Sequence, residues 1–191
     1  MTPRPAGKVR IVAGAKRGHR LRVPAVVGLR PTSEKVREAI FDVLGAVGDL
    51  SVLDLFAGTG AMGLEALSRG AQSCVFVEQD PAAATVLQEN IKALGYQASC
   101  RVIVSDYRQA LQRLVHMRAG FDLLFVDPPY RMLPEVEATL EPLLSSVLKD
   151  DGVAVIEGHR PSQVTFGHTP VFDRVYGDTR VTMISMRRSI R

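Results

Sequence analysis

Cysteine, tryptophan and histidine are scarce in this sequence, and their scarcity excludes several classes of protein. Of 191 residues, two are cysteine, four are histidine and none is tryptophan. Neither Cys74 nor Cys100 belongs to a CxxC pair or has a histidine at a metal-ligand spacing, and the histidines share no such spacing. We therefore expect two core thiols in a reducing compartment, and neither a disulfide framework nor a metal site.

Long apolar runs are also missing. No stretch approaches the roughly 18 apolar residues that a membrane-spanning helix needs. The opening residues, MTPRPAGKVR, lack the continuous apolar segment of a secretory signal peptide. We therefore expect a soluble, cytoplasmic protein without a membrane partner. A chain of 191 residues suits one sizeable α/β domain.

Acidic residues are nearly absent from the N-terminal segment. Residues 1–37 hold ten Lys or Arg against one acid, which gives a local net charge of +9, whereas the remaining residues carry −5. Clustered cations neutralise phosphates and release counterions, so the segment indicates a polyanionic partner such as nucleic acid. On charge alone, a solvated and disordered basic tail is the alternative.

Alternating residues within the basic segment argue against a disordered tail. In KVRIVAG the apolar Val9, Ile11 and Ala13 alternate with other residues, and in HRLRVP Leu21 and Val23 alternate with arginines. With AKRG between them as a turn, this pattern predicts a β-hairpin that has an apolar face and a basic face. The candidate nucleic-acid ligands are the cations of the basic face, the tip and the connection to the core: Arg10, Lys16, Arg17, Arg20, Arg22 and Arg30.

We predict an N-terminal extension over residues 1–30 and one α/β domain over residues 31–191. Helical spacing and capping signals predict helices at 33–44, 61–69, 81–94, 107–118 and 134–148. Near-continuous apolar runs predict strands at 52–57, 74–79, 99–105, 122–127 and 152–158, before two β-like runs joined by a Gly-Asp turn. We therefore expect a Rossmann-like, doubly wound, mostly parallel seven-stranded sheet with a C-terminal antiparallel hairpin.

A glycine-rich turn follows the first strand of the predicted domain. The three glycines of DLFAGTGAMG, residues 54–63, have the GxGxxG spacing, and Glu78 ends the next strand. Such glycines let the backbone approach a nucleotide and the acid can hold a ribose, so the pattern predicts a nucleotide-like ligand. Asp54 distinguishes the cofactor classes, because a carboxylate beside a helix N-terminus repels a pyrophosphate and receives an ammonium group. S-adenosylmethionine (SAM) has that ammonium group and no phosphate.

A second motif, FVDPPY, occupies residues 125–130. Two consecutive prolines stiffen the corner after the strand and remove two N–H donors, which leaves nearby carbonyls without a local partner. The corner offers a carboxylate, a carbonyl and an aromatic ring to a flat, amine-bearing group. We therefore take Asp127, Pro128 and Tyr130 as candidate catalytic residues; a purely structural turn is the alternative.

These motifs together resemble the class I SAM-dependent methyltransferases. In that superfamily DxFxGxG, here residues 54–60, is the first motif, and DPPY is the motif of enzymes that methylate exocyclic amines of bases. The hairpin sequence RIVAG and LRPTSEKVREAIF, residues 29–41, are similar to bacterial 16S ribosomal RNA guanine-N2 methyltransferases of the RsmD type. The resemblance runs from about residue 10 to about residue 187. It implies methyl transfer from SAM to a guanine of 16S rRNA within the small ribosomal subunit, with S-adenosylhomocysteine as product.

The resemblance also implies the roles of individual residues. Asp106, after the third strand, stands where the superfamily binds the adenine amino group, although a plain helix cap is the alternative. Asp127 and the Pro128 carbonyl would accept the two amine protons while Tyr130 stacks on the base. The predicted cofactor-binding residues are Asp54, Phe56, Ala57, Gly58, Thr59, Gly60, Glu78, Gln79, Asp106 and Tyr107. We expect a monomer without a metal ion.

The alternatives leave part of these motifs unused. A nicotinamide- or flavin-dependent oxidoreductase uses the glycine turn but not DPPY, and a non-catalytic nucleic-acid-binding protein needs neither motif. An adenine-N6 enzyme acting on DNA usually needs a large target-recognition domain, and a protein-glutamine methyltransferase normally has Asn in place of Asp127.

Thr32 either borders the pocket or caps a helix. Glu65, Glu89 and Glu157 are interpreted as ordinary solvated or packing residues.

Overall fold

Strands and helices alternate along the chain. The computed structural model describes residues 9–24 and 32–187. The strands are β1 (Val9–Arg10), β2 (Arg20–Leu21), β3 (Ser51–Asp54), β4 (Ser73–Glu78), β5 (Cys100–Val104), β6 (Phe121–Val126), β7 (Leu148–His159), β8 (Phe172–Tyr176) and β9 (Thr179–Ser185). The helices are α1 (Glu34–Leu44), α2 (Ala61–Ser68), α3 (Pro81–Leu94), α4 (Tyr107–His116), α5 (Leu133–Leu140) and α6 (Leu144–Val147). Short 3₁₀ turns lie at Gln97–Ser99, Tyr130–Met132 and Glu141–Leu143.

Strands β3 to β9 form one seven-stranded sheet in the order β5-β4-β3-β6-β7-β9-β8. Neighbouring strands from β5 to β7 are parallel, whereas β9 is antiparallel to both β7 and β8. The predicted fold class is therefore confirmed. The chain places β4 and β5 on one side of β3 and then returns to its other side with β6, and such a reversal opens a crevice at the carboxyl ends of the strands.

Helices cover both faces of the sheet and divide the core into two apolar clusters. On one face, α1, α2 and α3 pack with the apolar side of the N-terminal hairpin. On the other face, α4, α5 and α6 pack around sheet residues such as Leu124 and Ile156. Because the central strands are buried on both faces, their sequences read as nearly continuous apolar runs.

Capping residues set the limits of the helices near the crevice. The Ser33 side chain accepts a hydrogen bond from the first turn of α1, and Gly45 ends that helix with a φ of 71°. Asp80 accepts the Ala83 N–H at 2.7 Å at the start of α3, and Gly95 ends α3 with a φ of 76°. These limits agree with the predicted helices at 33–44 and 81–94 to within one residue.

The prediction of one continuous helix at 134–148 is wrong. The segment consists of α5, a 3₁₀ turn and the short α6, and β7 begins at Leu148. Pro142 lies in the 3₁₀ turn, where it lacks the N–H that a continuous α-helix would need. The strand predicted at 152–158 is correspondingly longer, because exposed residues 149–151 continue it toward α6.

The N-terminal hairpin is short, and its two faces differ as predicted. Val9 pairs with Leu21 and both are buried, whereas Arg10 pairs with Arg20 and both are exposed. Beyond these pairs the chain leaves regular strand geometry, although the Ile11 N–H still donates to the His19 carbonyl at 2.9 Å. The predicted alternation is therefore confirmed, while the strands are shorter than it indicated.

Glu65 on α2 anchors this hairpin to the body of the protein. Its carboxylate is fully buried and accepts the N–H groups of Val12 at 2.7 Å and Ala13 at 2.9 Å. Arg69, one helical turn further along, donates to the same carboxylate at 2.9 Å. A Cβ on Gly14, which has a φ of 81°, would lie 1.8 Å from the Ser68 carbonyl oxygen. Glu65 is thus a structural residue that, together with Ser68, holds the hairpin against α2.

The two cysteines lie on neighbouring strands. Cys74 of β4 and Cys100 of β5 are register partners, and both are free thiols. Burial raises the pKa of the Cys100 thiol to about 12 and the pKa of the Cys74 thiol as well. Both therefore remain protonated and unreactive at neutral pH, as expected for core thiols.

Candidate active site

A cavity of about 550 Å³ lies at the carboxyl ends of β3, β4 and β6. Most of the predicted cofactor-binding and catalytic residues line it: Asp54, Phe56, Ala57, Gly58, Thr59, Glu78, Gln79, Tyr107, Asp127, Pro128 and Tyr130. Gly60 and Asp106 do not. The structure therefore brings the two sequence motifs together at one site, although about 70 residues separate them along the chain.

The glycine turn between β3 and α2 bends sharply and packs tightly. Gly58 and Gly60 have φ angles of 51° and 79°, which side chains rarely adopt. A Cβ on Gly60 would lie 2.3 Å from the Leu87 side chain, and one on Gly63 would lie 2.5 Å from the Cys74 sulfur. Gly58 therefore forms the cavity wall, while Gly60 and Gly63 let α2 approach α3 and the sheet.

Asp54 is a buried carboxylate at the end of β3. One oxygen accepts the N–H of Gly63, in the first turn of α2, at 3.0 Å. Burial is the main cause that raises the pKa of Asp54 to about 7, and the nearby carboxylates Asp127 and Glu78 raise it further. The side chain is therefore only partly ionised at neutral pH, and a positive charge in the cavity would favour its ionised form.

Glu78 fixes the rim of the cavity at the end of β4. Its two oxygens accept the N–H groups of Gly58 and Asp80, each at 2.8 Å. The carboxylate thus joins the glycine turn to the start of α3 and still lines the cavity. Its position is that of the acid that holds a ribose in nucleotide-binding folds.

Two aromatic rings form part of the cavity wall. Phe56 and Tyr107 lie with ring centroids 5.2 Å apart, and both line the cavity. Asp106 caps α4 instead: its carboxylate accepts the Arg108 N–H at 2.9 Å. This geometry favours the helix-cap alternative for Asp106. Its predicted contact with an adenine amino group stays a prediction.

The DPPY corner lies at the mouth of the cavity. Asp127 and Pro128 line the interior, and the half-exposed Tyr130 ring stands at the rim. No backbone N–H in the described part of the chain reaches the Pro128 carbonyl, whereas the Pro129 carbonyl accepts from Met132 at 2.7 Å. The corner therefore presents a carboxylate and an unused carbonyl side by side.

Glu157 on β7 is a site residue that sequence reasoning missed. The Thr32 hydroxyl lies 2.8 Å from a Glu157 oxygen and 3.2 Å from an Asp127 oxygen. Burial raises the pKa of Asp127 to about 6, and burial together with the charge of Asp127 raises the pKa of Glu157. The parallel pairing of β6 with β7 could have indicated this contact, since Glu157 follows Ile156, the register partner of Val126.

His159 is a second residue that the sequence pattern passed over. Its ring centroid lies 5.3 Å from that of Tyr130, with the ring planes inclined by 53°. Both rings stand on the solvent side of the site, because His159 is exposed. The sequence gives no signal for this contact, because the histidines share no metal-ligand spacing and aromatic stacking needs none.

The charge of the cavity separates the candidate ligands. Among the described residues that line it there is no Lys, Arg or His, whereas Asp54, Glu78, Asp80 and Asp127 are acidic. A pyrophosphate would meet several carboxylates in such a cavity and no cation. The carboxylates of the cavity therefore fit a cationic cofactor such as SAM and disfavour the negatively charged pyrophosphate of a dinucleotide.

Comparison with known proteins agrees with this geometry. From residue 9 to residue 185 the chain matches the family model described as conserved hypothetical protein 95. The chain belongs to this family. It is 39% identical over 155 residues to ribosomal RNA small subunit methyltransferase D of Escherichia coli K12, with 80% of this chain and 75% of that one covered. The family resemblance that the motifs predicted is confirmed.

Solved structures share the fold of this family member. A hypothetical protein of Thermus thermophilus is 34% identical, with a TM-score of 0.80 over 92% of this chain and 98% of that one. An RNA methyltransferase of Salinibacter ruber, solved in complex with S-adenosyl-L-homocysteine, is 19% identical, with a TM-score of 0.64 over 84% of this chain and 96% of that one. The second likeness shows that the fold is retained at low identity.

The predicted nucleic-acid ligands of this family member lie on the hairpin but differ in their surroundings. Arg10 pairs with Glu34 at 2.9 Å, and Arg22 pairs with Glu89 at 2.6 Å. The exposed Arg17 and Arg20 have no ion pair among the described residues. Lys16 is half-buried, and its ammonium lies 5.8 Å from the centroid of the Tyr96 ring. Arg30 lies outside the described residues.

Metal clusters and membrane-spanning helices are both absent from the described part of the chain. Within residues 9–24 and 32–187, no three His, Cys, Asp or Glu side chains converge as a metal site. Every helix in that part of the chain is too short or too polar to cross a lipid bilayer.

Proposed function

We propose that this chain transfers a methyl group from SAM to the exocyclic N2 amine of a guanine in 16S rRNA of the small ribosomal subunit. The observation that carries the proposal is the DPPY corner, where Asp127 and Pro128 line an acidic cavity and the Pro128 carbonyl accepts no backbone N–H of the described residues. The similarity to ribosomal RNA small subunit methyltransferase D of Escherichia coli supports the choice of small-subunit rRNA.

The residues of the cavity suit both the methionine part and the adenosine part of SAM. Asp54 would hold the ammonium end, and Glu78 would bind the ribose hydroxyls. Phe56 and Tyr107 would border the adenine ring with Gly58 close to the cofactor backbone. When bound, SAM supplies a methyl group on a positively charged sulfur, which becomes a neutral thioether as the methyl moves to nitrogen.

The chain's own residues then act mainly by positioning the amine. Asp127 accepts one N–H of the guanine amine and the Pro128 carbonyl accepts the other, which turns the nitrogen lone pair toward the methyl group. As the nitrogen–carbon bond forms, the surplus proton on nitrogen passes to Asp127. Alignment of this kind contributes up to roughly 7 to 11 kcal/mol in the best cases. Tyr130 stacks on the base, and such stacking contributes roughly 1 to 3 kcal/mol.

The hairpin would follow the RNA backbone beside the cavity. We assign residues 1–30 as the RNA-binding extension of a methyltransferase domain spanning residues 31–191, acting as a monomer in the cytoplasm. Arg10, Arg20 and Arg22 share the basic face of the hairpin, with Lys16 and Arg17 toward its tip. The target guanine must leave its stack to reach the cavity, because the amine is otherwise enclosed by neighbouring bases.

Mapping the methylated product tests this proposal. Purified protein is incubated with labelled SAM and small ribosomal subunits from methylation-deficient cells, and the rRNA is digested and analysed by mass spectrometry. We expect label on N2 of a guanine in 16S rRNA. Label on adenine or on added DNA would overturn the substrate assignment, and thermal stabilisation by NADH instead of SAM would overturn the cofactor assignment.

A further inference from the structure

One hydroxyl group joins two carboxyl groups beside the cavity. Thr32 Oγ1 is within hydrogen-bond distance of Glu157 Oε1, at 2.8 Å, and of Asp127 Oδ2, at 3.2 Å. Glu157 is 4% exposed, whereas Asp127 is partly exposed because it opens into the cavity. The described ion pairs include neither carboxyl group, so no cation neutralises them directly.

The two short contacts of Thr32 require at least one of the two carboxyl groups to be protonated. A threonine hydroxyl has a single hydrogen to donate and two lone pairs with which to accept. It cannot donate to two ionised carboxylates at once, so one short contact needs a hydrogen from the carboxyl side. The consistent chain has Glu157 as the neutral acid that donates to Thr32, while Thr32 donates to the ionised Asp127. The more buried carboxyl group holds the proton because desolvation opposes its charge.

Thr32 is itself held in place by a buried arginine. Arg37 of α1 is 1% exposed and donates to the Thr32 carbonyl at 2.6 Å. Its second terminal nitrogen donates to the Arg10 carbonyl on β1 at 2.7 Å. These bonds direct both terminal nitrogens at backbone carbonyls, so the guanidinium makes no hydrogen bond to Glu157. Its charge lowers the pKa of Glu157, but burial, the larger effect, raises that pKa and favours the protonated form. The charged groups that face Glu157 are Asp127, Asp54 and Arg37.

We propose that Glu157 and Thr32 are positioning residues that keep Asp127 ionised and orient its free oxygen toward the amine. Glu157 retains its proton, Thr32 relays one hydrogen bond to Asp127 Oδ2, and Oδ1 is left to accept from the substrate. The proposal rests on the role of Asp127 in the proposed function. It adds a residue outside the DPPY motif to the site, because Asp127 at the end of β6 then depends on the protonated Glu157 of the neighbouring strand β7.

A spectroscopic test needs no RNA. Infrared spectra at pH 8, where Asp54 and Asp127, with pKa values of about 7 and about 6, are mostly ionised, should show a protonated carboxyl band. Glu157→Gln should remove this band, Thr32→Val should shift it, and the matched surface change Glu38→Gln should leave it in place. A wild-type spectrum whose protonated carboxyl signal is unaffected by Glu157→Gln would overturn the proposal. That outcome would leave guanine methylation untouched, so failure of this inference is distinguishable from failure of the proposed function.

Single-turnover rates against pH supply the second test, with saturating SAM and small ribosomal subunits. Wild-type protein should lose rate at alkaline pH as Glu157 ionises, whereas Glu157→Gln, whose amide N–H cannot titrate there, should lack that decline. Thr32→Val should slow methyl transfer by about tenfold or more while changing SAM affinity less than about threefold. Thr32→Ser should recover most of that loss, and Thr85→Val serves as the matched control.

Three outcomes would contradict the positioning role. These are identical pH profiles for wild type and Glu157→Gln, an unchanged rate in Thr32→Val, and equal losses in Thr32→Val and Thr32→Ser. A wild-type protein that places no label on guanine would instead count against the proposed function, whatever the spectra show.

Discussion

The cavity at the sheet edge and the N-terminal hairpin differ in the sign of their charge and in what holds that charge. In the cavity, carboxylates gather with no cation among the described lining residues, and burial raises the pKa of Asp54 and Asp127. On the hairpin, exposed arginines either pair with acids of the body or point into solvent. An acidic interior receives a cationic cofactor, and a basic exterior receives a polyanion.

The two regions also differ in how they depend on the rest of the fold. The cavity is built from turns that follow parallel strands, so its carboxylates are fixed by the sheet. The hairpin has few backbone pairs of its own. It is fixed by the Glu65 carboxylate, by hydrogen bonds to Ser68 and Asn90, and by apolar contacts with the helices of that face. Substitutions in the cavity should therefore change methyl transfer or SAM binding. Substitutions on the hairpin should change its attachment to the body or the binding of RNA.

Asp127→Ala should give the largest effect. Losing the acceptor for the amine proton should slow single-turnover methyl transfer by about a hundredfold or more, the usual range for a general base. SAM affinity, measured by calorimetry, should change less than about threefold. A rate loss smaller than about tenfold, or roughly 1.4 kcal/mol, would remove Asp127 from the reaction and leave the cavity only a binding site.

Asp54→Asn should weaken SAM binding by about tenfold at pH 8, where a charge-assisted contact of roughly 1.5 kcal/mol is lost. In wild-type protein the affinity should rise as the pH increases through about 7, because Asp54 must ionise to attract the ammonium group. The variant should bind SAM without this dependence. Equal pH profiles in calorimetric titrations would show that another group receives the ammonium end.

The same substitution should stabilise the fold. Asp54 has a pKa near 7 when folded and 3.8 as its ordinary value, so the folded state binds the extra proton between these values. Its contribution to stability is therefore greatest below pH 3.8 and declines as the pH rises to about 7. Asn stays neutral, so thermal unfolding at pH 8 should occur at a higher temperature in Asp54→Asn than in wild type. A lower unfolding temperature would contradict the buried-charge explanation.

Glu65→Gln should loosen the hairpin without reaching the cavity. It replaces a buried carboxylate that accepts two backbone N–H groups, and such a loss costs roughly 1 to 3 kcal/mol of unfolding free energy. Amide hydrogen exchange at Val12 and Ala13 should accelerate, while exchange around Asp127 should not. Glu38→Gln on the exposed side of α1 is the control. Unchanged exchange at both amides would mean that apolar packing and the hydrogen bonds to Ser68 and Asn90 hold the hairpin without Glu65.

Arg20→Ala should weaken binding to small ribosomal subunits and lower the salt dependence of that binding by about one unit of slope. Arg22→Ala should do less, since Arg22 must first leave Glu89, although an exposed pair of this kind contributes only about 0 to 1 kcal/mol. SAM affinity should be the same in both variants. Filter binding over a range of salt concentrations measures the difference, and equal slopes in wild type and Arg20→Ala would exclude a phosphate contact at Arg20.

Most of the architecture could be predicted from the sequence because its causes are local. Apolar periodicity, capping residues and the glycine turn each act within a few residues, and they located the five parallel strands and four of the five predicted helices. The first strand was predicted too long, because β3 ends at Asp54 and residues 55–57 already belong to the glycine turn. The remaining predicted helix is interrupted at Pro142, which lies in a 3₁₀ turn between α5 and α6. The segment then ends earlier than predicted, because β7 begins at Leu148.

The site could be predicted only as far as its motifs extend. Each motif contains the residues that indicate its function. Because both motifs follow strands of a doubly wound sheet, Asp54 and Asp127 could be assigned to the same crevice at the carboxyl ends of those strands. Asp106 illustrates the limit, because its carboxylate caps α4 and does not line the cavity. A carboxylate before a helix has the same sequence signal in either role.

By itself, the sequence determined the strand and helix order, the cofactor turn, the stiff DPPY corner and the charge asymmetry between hairpin and body. Only the tertiary structure decided that Glu157 meets Asp127 through Thr32 and that Glu65 anchors the hairpin. The Thr32 hydroxyl bridges to Glu157 across 125 residues of chain, and Glu65 reaches Val12 across 53. No local periodicity encodes such contacts, because they arise when distant strands and helices are packed and their buried polar groups must find partners.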